Sequence, residues 1–470
     1  MKNSLFLSIF LIINISYIIN KDNNSNDECK YIILDFYSQY NNENIKNNFY
    51  LNNLTNNYIY TKIKIGSNEQ LLEMRIDLNT YITYVVNKDL INTNIFTPFN
   101  EKTSKSFYNY SISFNSYTNN LYNAFLCKDS IEINNNKIND FNFAYADKLS
   151  YYEQIPSGSM GFNYYKDYVI PIENLNFIAQ LKDNEIISGQ SFTFNFISNY
   201  KGQLYLGPDY DKIFPEKYSL TNKQIIKISG GINHIYNRWG LTFNKVKVGE
   251  IELDYSKESN FNLGENFILA TDEYSEKIYS VFFSKLIEQN KCIKENYSYS
   301  QFLFTIKCKK NLNLEKFPSL EFNLNNVDME PFNLIFDYKS LFETVGEYQY
   351  FKIILVFRND PTIPIMLVWT FGKYFFKEYL MTFNKDAKTI TFYNMKNNKG
   401  KTIDEILEIN RKNNRIKNLI LVVLIIILLI LIFLIFLLLR KCLRQQFEIK
   451  NRNRKNILVS EMVYYPSDKD

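Results

Sequence analysis

The chain has 470 residues, a formal charge of +5 and a composition that is 17% aromatic, which is enough for two sizeable lobes with separate cores. Of the +5, +4 falls between Arg440 and the C-terminus (8 Lys/Arg against 4 Asp/Glu), so the rest is nearly neutral and has no nucleic-acid footprint. The single histidine, His234, excludes a His-rich metal site or a zincin helix.

Met1–Asn20 carries a lysine near its start and then the apolar run Leu5–Ile13, the pattern of a secretory signal peptide. Residues 21–50 form a short segment of mixed charge in which Tyr31, Ile33 and Asp35 alternate as in a strand. Tyr58–Val86 is the clearest pattern in the chain. Ile59, Thr61, Ile63 and Ile65 share one face, and Tyr58, Tyr60, Lys62 and Lys64 share the other. A turn at Gly66-Ser67-Asn68 sends the chain back through Leu72, Met74 and Ile76 to one carboxylate, Asp77. Leu78-Asn79-Thr80 follow, and then a further apolar strand with Ile82, Tyr84 and Val86.

Phe107–Ile133 reads as a hairpin with Phe114, Asn115, Ser116 and Tyr117 near its tip. Phe177–Asn184 reads as a short amphipathic helix, and Ser191–Phe196 with Gly202–Gly207 as a strand pair. Arg238–Phe243 and Lys245–Gly249 open the second half. His234 precedes them in a Gly230-Gly231-Ile232-Asn233 context with no nucleophile elbow, and reads as a solvated or capping residue. Asn266–Leu269 is an apolar strand running into Ala270-Thr271-Asp272-Glu273. Leu367–Tyr393 combines a strand, Gly372 at a helix start, and a hairpin over Asn384-Lys385-Asp386-Ala387.

Leu419–Leu439 is 21 residues without a charge, enough to span a bilayer core at ~20 residues. Arg440, Lys441 and Arg444 follow it and mark the cytoplasmic side. Together with the signal peptide this reads as a type I single-pass protein with a luminal or extracellular body. Four cysteines lie on that side. Cys292 and Cys308 enclose a short loop and are the easiest pair to close, which leaves Cys29 with Cys127. Cys442, just past the span, is a palmitoylation candidate or a plain thiol. Glycosylation sequons begin at Asn23, Asn53, Asn109 and Asn296.

The strand–turn–strand ending in Asp77 resembles the first active-site loop of pepsin-like aspartic peptidases. The hairpin at Phe107–Ile133 resembles that family's flap. Ser157–Phe162, Arg238–Phe243, Phe317–Phe322 and Leu367–Tyr393 are similar to further family segments, in the family's order. The resemblance covers about 58–393 and implies an all-β (mainly) bilobal acid-protease fold. Its parts would be an N-terminal lobe at 51–210, a C-terminal lobe at 211–395, a stalk at 396–418, the membrane helix at 419–439 and a tail at 440–470.

In such a peptidase two aspartates share one proton, and one activates water while the other donates to the substrate carbonyl. Asp77 takes the first position. Aligned on the apolar strand, the second becomes Ala270, followed by Thr271 and Asp272. Leu78-Asn79 replace the family's threonine-glycine, with Asn79 expected to hold the turn in a left-handed conformation. Phe114 and Tyr117 stand at the flap without its tip glycines, and no basic prosegment precedes the lobes.

The resemblance therefore implies a membrane-anchored, catalytically impaired homologue that binds peptide or protein in its cleft, without cofactor or metal. One alternative is an active endopeptidase pairing Asp77 with Asp272. Side chains two apart on a strand share a face, but the shift moves the carboxylate by ~6 Å. Another is an adhesion or structural ectodomain.

Overall fold

The computed structural model describes residues 29–38, 58–90, 96–116, 121–149, 156–164, 175–198, 201–218, 223–228, 238–255, 257–296, 302–357 and 368–393. In a second unit, Lys396–Asp470, it describes helical residues within 433–451. The signal peptide, His234, Tyr117, Asn23, Asn53 and Cys442 lie outside the described residues, as does most of Leu419–Leu439. Among the described residues no helix is long and apolar enough to cross a membrane.

The first unit is mainly β. Thirteen strands form its largest sheet. From one edge they are Gln224–Lys227, Thr389–Tyr393, Leu380–Asn384, Ser191–Phe196, Lys201–Gly207, Ile32–Ser38 and Ile59–Ile65. The sheet continues with Gln70–Asp77, Gly158–Gly161, Tyr84–Val86, Asn136–Leu149, Leu121–Ile133 and Tyr108–Ser116. A four-stranded sheet (Ile251–Leu253, Lys245–Val248, Leu320–Asn325, Pro331–Phe336) and an eight-stranded one belong to the second half.

The alternation read in Ile59–Ile65 is the observed one: Ile59, Thr61, Ile63 and Ile65 are buried, and the tyrosine–lysine face is more open. Thr61 is the polar member of the inward row, and its hydroxyl donates to the Asp35 carbonyl at 2.7 Å. The turn over Gly66 needs φ +90°, which a glycine takes without strain.

The two halves are joined in the first part of the large sheet. The hairpin Leu380–Asn384 with Thr389–Tyr393 pairs on one side with Ser191–Phe196 and on the other with Gln224–Lys227. Thr193 and Thr382 meet there through their hydroxyls. Trp239 sits in the adjoining core, fully buried, with ring centroids 5.5 Å from Phe192 and 5.1 Å from Phe383. Its indole N–H donates to the Phe162 carbonyl at 2.8 Å, so an aromatic of the second half anchors a backbone segment of the first.

Cys292 and Cys308 form a disulfide directly across the pair Cys292–Asn296 and Leu303–Lys309. The pairing expected for Cys29 and Cys127 is not found. Cys29 is exposed and faces the Lys212 carbonyl at 3.7 Å, whereas Cys127 is fully buried on Leu121–Ile133 opposite Phe143. Strand alternation turns Cys127 into the core, and burial pushes its thiol up to about 12. Iodoacetamide applied to the native full chain should modify Cys29 and spare Cys127 until denaturant is added. Recovery of a peptide linking Cys29 to Cys127 by mass spectrometry would contradict this arrangement.

Candidate functional site

Asp77 ends the strand Gln70–Asp77 and is 4% exposed. That strand runs parallel to Gly158–Gly161, with Asp77 opposite Gly161. Gly158–Gly161 pairs antiparallel with Tyr84–Val86, which in turn runs parallel to Asn136–Leu149. The same arrangement recurs in the second half. Ser259–Phe261 runs parallel to Trp369–Phe371, which pairs antiparallel with Ile268–Leu269, which runs parallel to Ile353–Val356.

The registers match residue by residue. Tyr84 lies opposite Ser159 and Leu269 opposite Thr370. Phe261 lies opposite Phe371, so the next residue, Asn262, meets Gly372 as Asp77 meets Gly161. The spacing from Asp77 to Tyr84 equals that from Asn262 to Leu269. The second-half counterpart of Asp77-Leu78-Asn79 is therefore Asn262-Leu263-Gly264. Ala270 falls after the strand that returns from this turn, at the counterpart of Val85. Asp272 begins the helix Asp272–Ile278 with Thr271 as its N-cap residue. Neither Ala270 nor Asp272 occupies the position that mirrors Asp77, which corrects the placement expected from the apolar run Phe267–Ala270.

Both turns are closed by the same bond. The Asn79 amide donates to Asp77 Oδ1 at 2.8 Å, and the Gly264 amide donates to Asn262 Oδ1 at 3.0 Å. Asn79 does this at negative φ, so its expected left-handed conformation is not adopted. Behind each turn stands a glycine. A Cβ on Gly161 would collide with the Tyr81 carbonyl, and one on Gly372 with the Phe267 carbonyl. Leu78 and Leu263 are 1% and 2% exposed in one apolar cluster.

The second oxygen of Asp77 is engaged by Arg75, from the same face of the same strand, at 3.1 Å. The Arg75 guanidinium lies over the Tyr58 ring at 3.9 Å. A Cβ on Gly264 would lie 3.6 Å from that ring, so Tyr58 and Arg75 stand between the two turns. Arg75 and Asn262 were missed by sequence reasoning. Arg75 was detectable as the residue two before Asp77, and Asn262-Leu263-Gly264 as a near copy of Asp77-Leu78-Asn79.

The first turn is clamped from below by Asn176, the N-cap of Phe177–Asp183. Its buried amide donates to the carbonyls of Tyr81 (3.2 Å), Gly161 (3.1 Å) and Asn163 (3.1 Å). Its Oδ1 receives Lys385 Nζ at 2.9 Å, from the hairpin turn that joins the halves. Burial lowers the Lys385 pKa to about 8. In the second half Lys373 follows Gly372. Its amide donates to the Glu265 carbonyl, while its side chain, 2% exposed, reaches Ser38 Oγ at 3.2 Å. Burial drives that ammonium well below the ordinary lysine range.

Phe114 lies opposite Ala124 in the expected hairpin and packs against the cluster containing Ile82 and Tyr84. The strand pair is irregular there, with Ser111 and Asn123 at φ near +60°. Among the described residues no three His, Cys, Asp or Glu side chains gather as metal ligands would. Asn109 and Asn296 are both exposed, as a glycosylation acceptor must be.

Asn176→Ala should lower stability by about 1–3 kcal/mol, because three buried carbonyls lose their donor; urea unfolding of the full chain measures this. Lys385 titrates at a lowered pKa when folded, so its burial penalty is full below about pH 8 and fades as pH rises toward the unfolded lysine value. Lys385→Met should therefore be most favourable relative to wild type near pH 7. That difference should shift against the variant by on the order of 2 kcal/mol by about pH 10. A pH-independent difference would contradict the sign.

The family model described as Eukaryotic aspartyl protease matches residues 57–395. No curated protein matches the chain.

Proposed function

The chain belongs to the eukaryotic aspartyl protease family, and from that membership we propose a membrane-anchored homologue that holds extended peptide or protein without cleaving it by the two-carboxylate mechanism. The observation that carries this reading is the pairing of Asp77 with Arg75 while Asn262 stands in the mirrored turn.

Two-carboxylate hydrolysis needs one proton shared between two acids held close together. One acid must take a proton from water and the other must give one to the scissile carbonyl. Asn262 offers an amide, which accepts through Oδ1 and donates through Nδ2 but releases no proton to a carbonyl. Its Oδ1 already accepts the Gly264 amide. Asp77 offers one oxygen to the Asn79 amide and the other to a guanidinium. Such a pair is geometrically sound and partly shielded from water, but it puts a cation where a shared proton would be required.

The buried Leu78 and Leu263 support the same reading. A hydroxyl following each acid could cross-link the turns, whereas two leucines can join them only by apolar contact. The turns stay folded and the proton chemistry goes. A peptide-binding role follows from the family's substrate class. The membrane anchor follows from Leu419–Leu439 and the N-terminal apolar run.

Acid-pH peptide cleavage by the full chain tests the proposal, with Asp77→Ala as control. Wild type and Asp77→Ala should both remain at background, and Asn262→Asp alone should not restore turnover, because Arg75 still engages Asp77. Cleavage blocked by a statine-type inhibitor and abolished in Asp77→Ala would refute the proposal.

A further inference from the structure

We propose that the second half carries a separate site for a medium-chain aliphatic carboxylate, in the cleft between residues 280–286 and 312–318. It shares no lining residue with the Asp77 and Asn262 turns and does not depend on how their chemistry is read.

The cleft encloses about 340 Å3, within the lower part of the range of about 300–1,000 Å3 typical of small-ligand sites. Its shape originates in the helix. After Asp272–Ile278 the backbone widens into a π turn, Tyr279–Phe283, before Ser284–Glu288 resumes. Such turns reorient the following side chains and recur at functional sites. Here they bury the consecutive Phe282 and Phe283, and Phe282 packs edge-on against Phe317 at 5.0 Å. Leu286 and Leu314 continue the apolar lining. Two of the lining residues, Val281 and Pro318, also flank Gly249. Gly249 sits at φ +61°, where a Cβ would come within 3.3 Å of Pro318 and Val281.

The polar groups narrow the ligand class. Ser280 and Ser284 line the cleft, but their hydroxyls already donate to the Lys277 and Ser280 carbonyls at 3.0 and 2.7 Å. Recognition of charge is left to Lys285 and Lys316. Both are exposed, and among the described residues neither makes an ion pair, although Glu288 and Glu315 lie nearby in sequence. Two ammonium groups over an apolar hollow complement a single anionic head on an aliphatic tail. The walls are a helix and a loop rather than an open sheet edge, so they offer no ladder to which a peptide strand could add.

The test is photo-crosslinking of the full chain, held in lipid nanodiscs without detergent, with a diazirine-bearing octanoate, followed by peptide mapping of the 58–393 region. Labels should fall on 281–286 and 312–318 and be displaced by octanoate but not by 1-octanol. The yield should drop at least fivefold in Lys285→Ala/Lys316→Ala, whose sites are exposed and whose fold circular dichroism can verify. Leu286→Asp, which sets a carboxylate in the lining, should abolish labelling. Labels elsewhere, an unchanged yield in the double variant, equal displacement by 1-octanol, or displacement by an acidic peptide but not octanoate would overturn the proposal.

Discussion

The structure depends on one constraint: the hairpin Leu380–Tyr393 must close a single sheet between Ser191–Phe196 and Gln224–Lys227. This long-range pairing brings the last strands of the domain against strands from the middle of the chain. Once it is made, Trp239 can fill the space against Phe192 and Phe383 and reach the Phe162 carbonyl. Truncating so large a buried ring typically costs about 3–5 kcal/mol, so the junction contributes a substantial part of a marginal total. The hairpin turn also delivers Lys385 to Asn176, and Asn176 holds the backbone around the first turn. Closure of the sheet and the shape of the site are thus one hydrogen-bonded unit.

On that support the two turns are built alike. Each keeps an oxygen-bearing side chain that accepts the amide two residues on, and each is backed by a glycine that permits close approach. Each has a buried leucine next to that side chain. What differs is charge: a carboxylate on one side and a carboxamide on the other, with Arg75 entering beside the carboxylate. That cation is itself held by stacking on Tyr58. Both turns are closed locally, and the Asp77 carboxylate has its two oxygens engaged by the Asn79 amide and Arg75.

Much of this was legible because the first half follows simple periodicity. Ile59–Ile65 alternates inward and outward, its turn needs a glycine, and Asp77 is the residue at the strand's end. The second turn was hidden for a physical reason. Its leading strand, Ser259–Phe261, is three residues long, with Phe261 its single apolar side chain. The conspicuous apolar run, Phe267–Ala270, belongs to the returning strand. Hydrophobicity therefore pointed to the wrong side of the loop, and only the register against Trp369–Phe371 identifies Asn262. The expected Cys29–Cys127 bridge failed similarly: sequence can count cysteines, but which face a strand residue presents is set by its partners.

The cations at the two turns take different courses, and the difference bears on what the site can hold. Arg75 is half-buried, its side chain 23% exposed beside an Asp77 that is 5% exposed. The pair is thus largely withdrawn from water on the carboxylate side, and removing either partner would leave the other's charge poorly compensated. Lys373 begins at the second turn but is drawn away into the core to Ser38, where burial disfavours its charge. The cationic character near the turns thus rests on Arg75 rather than on Lys373. Arg75 and Asp77 together therefore present a compensated ion pair at the first turn, where the family's chemistry requires a shared proton.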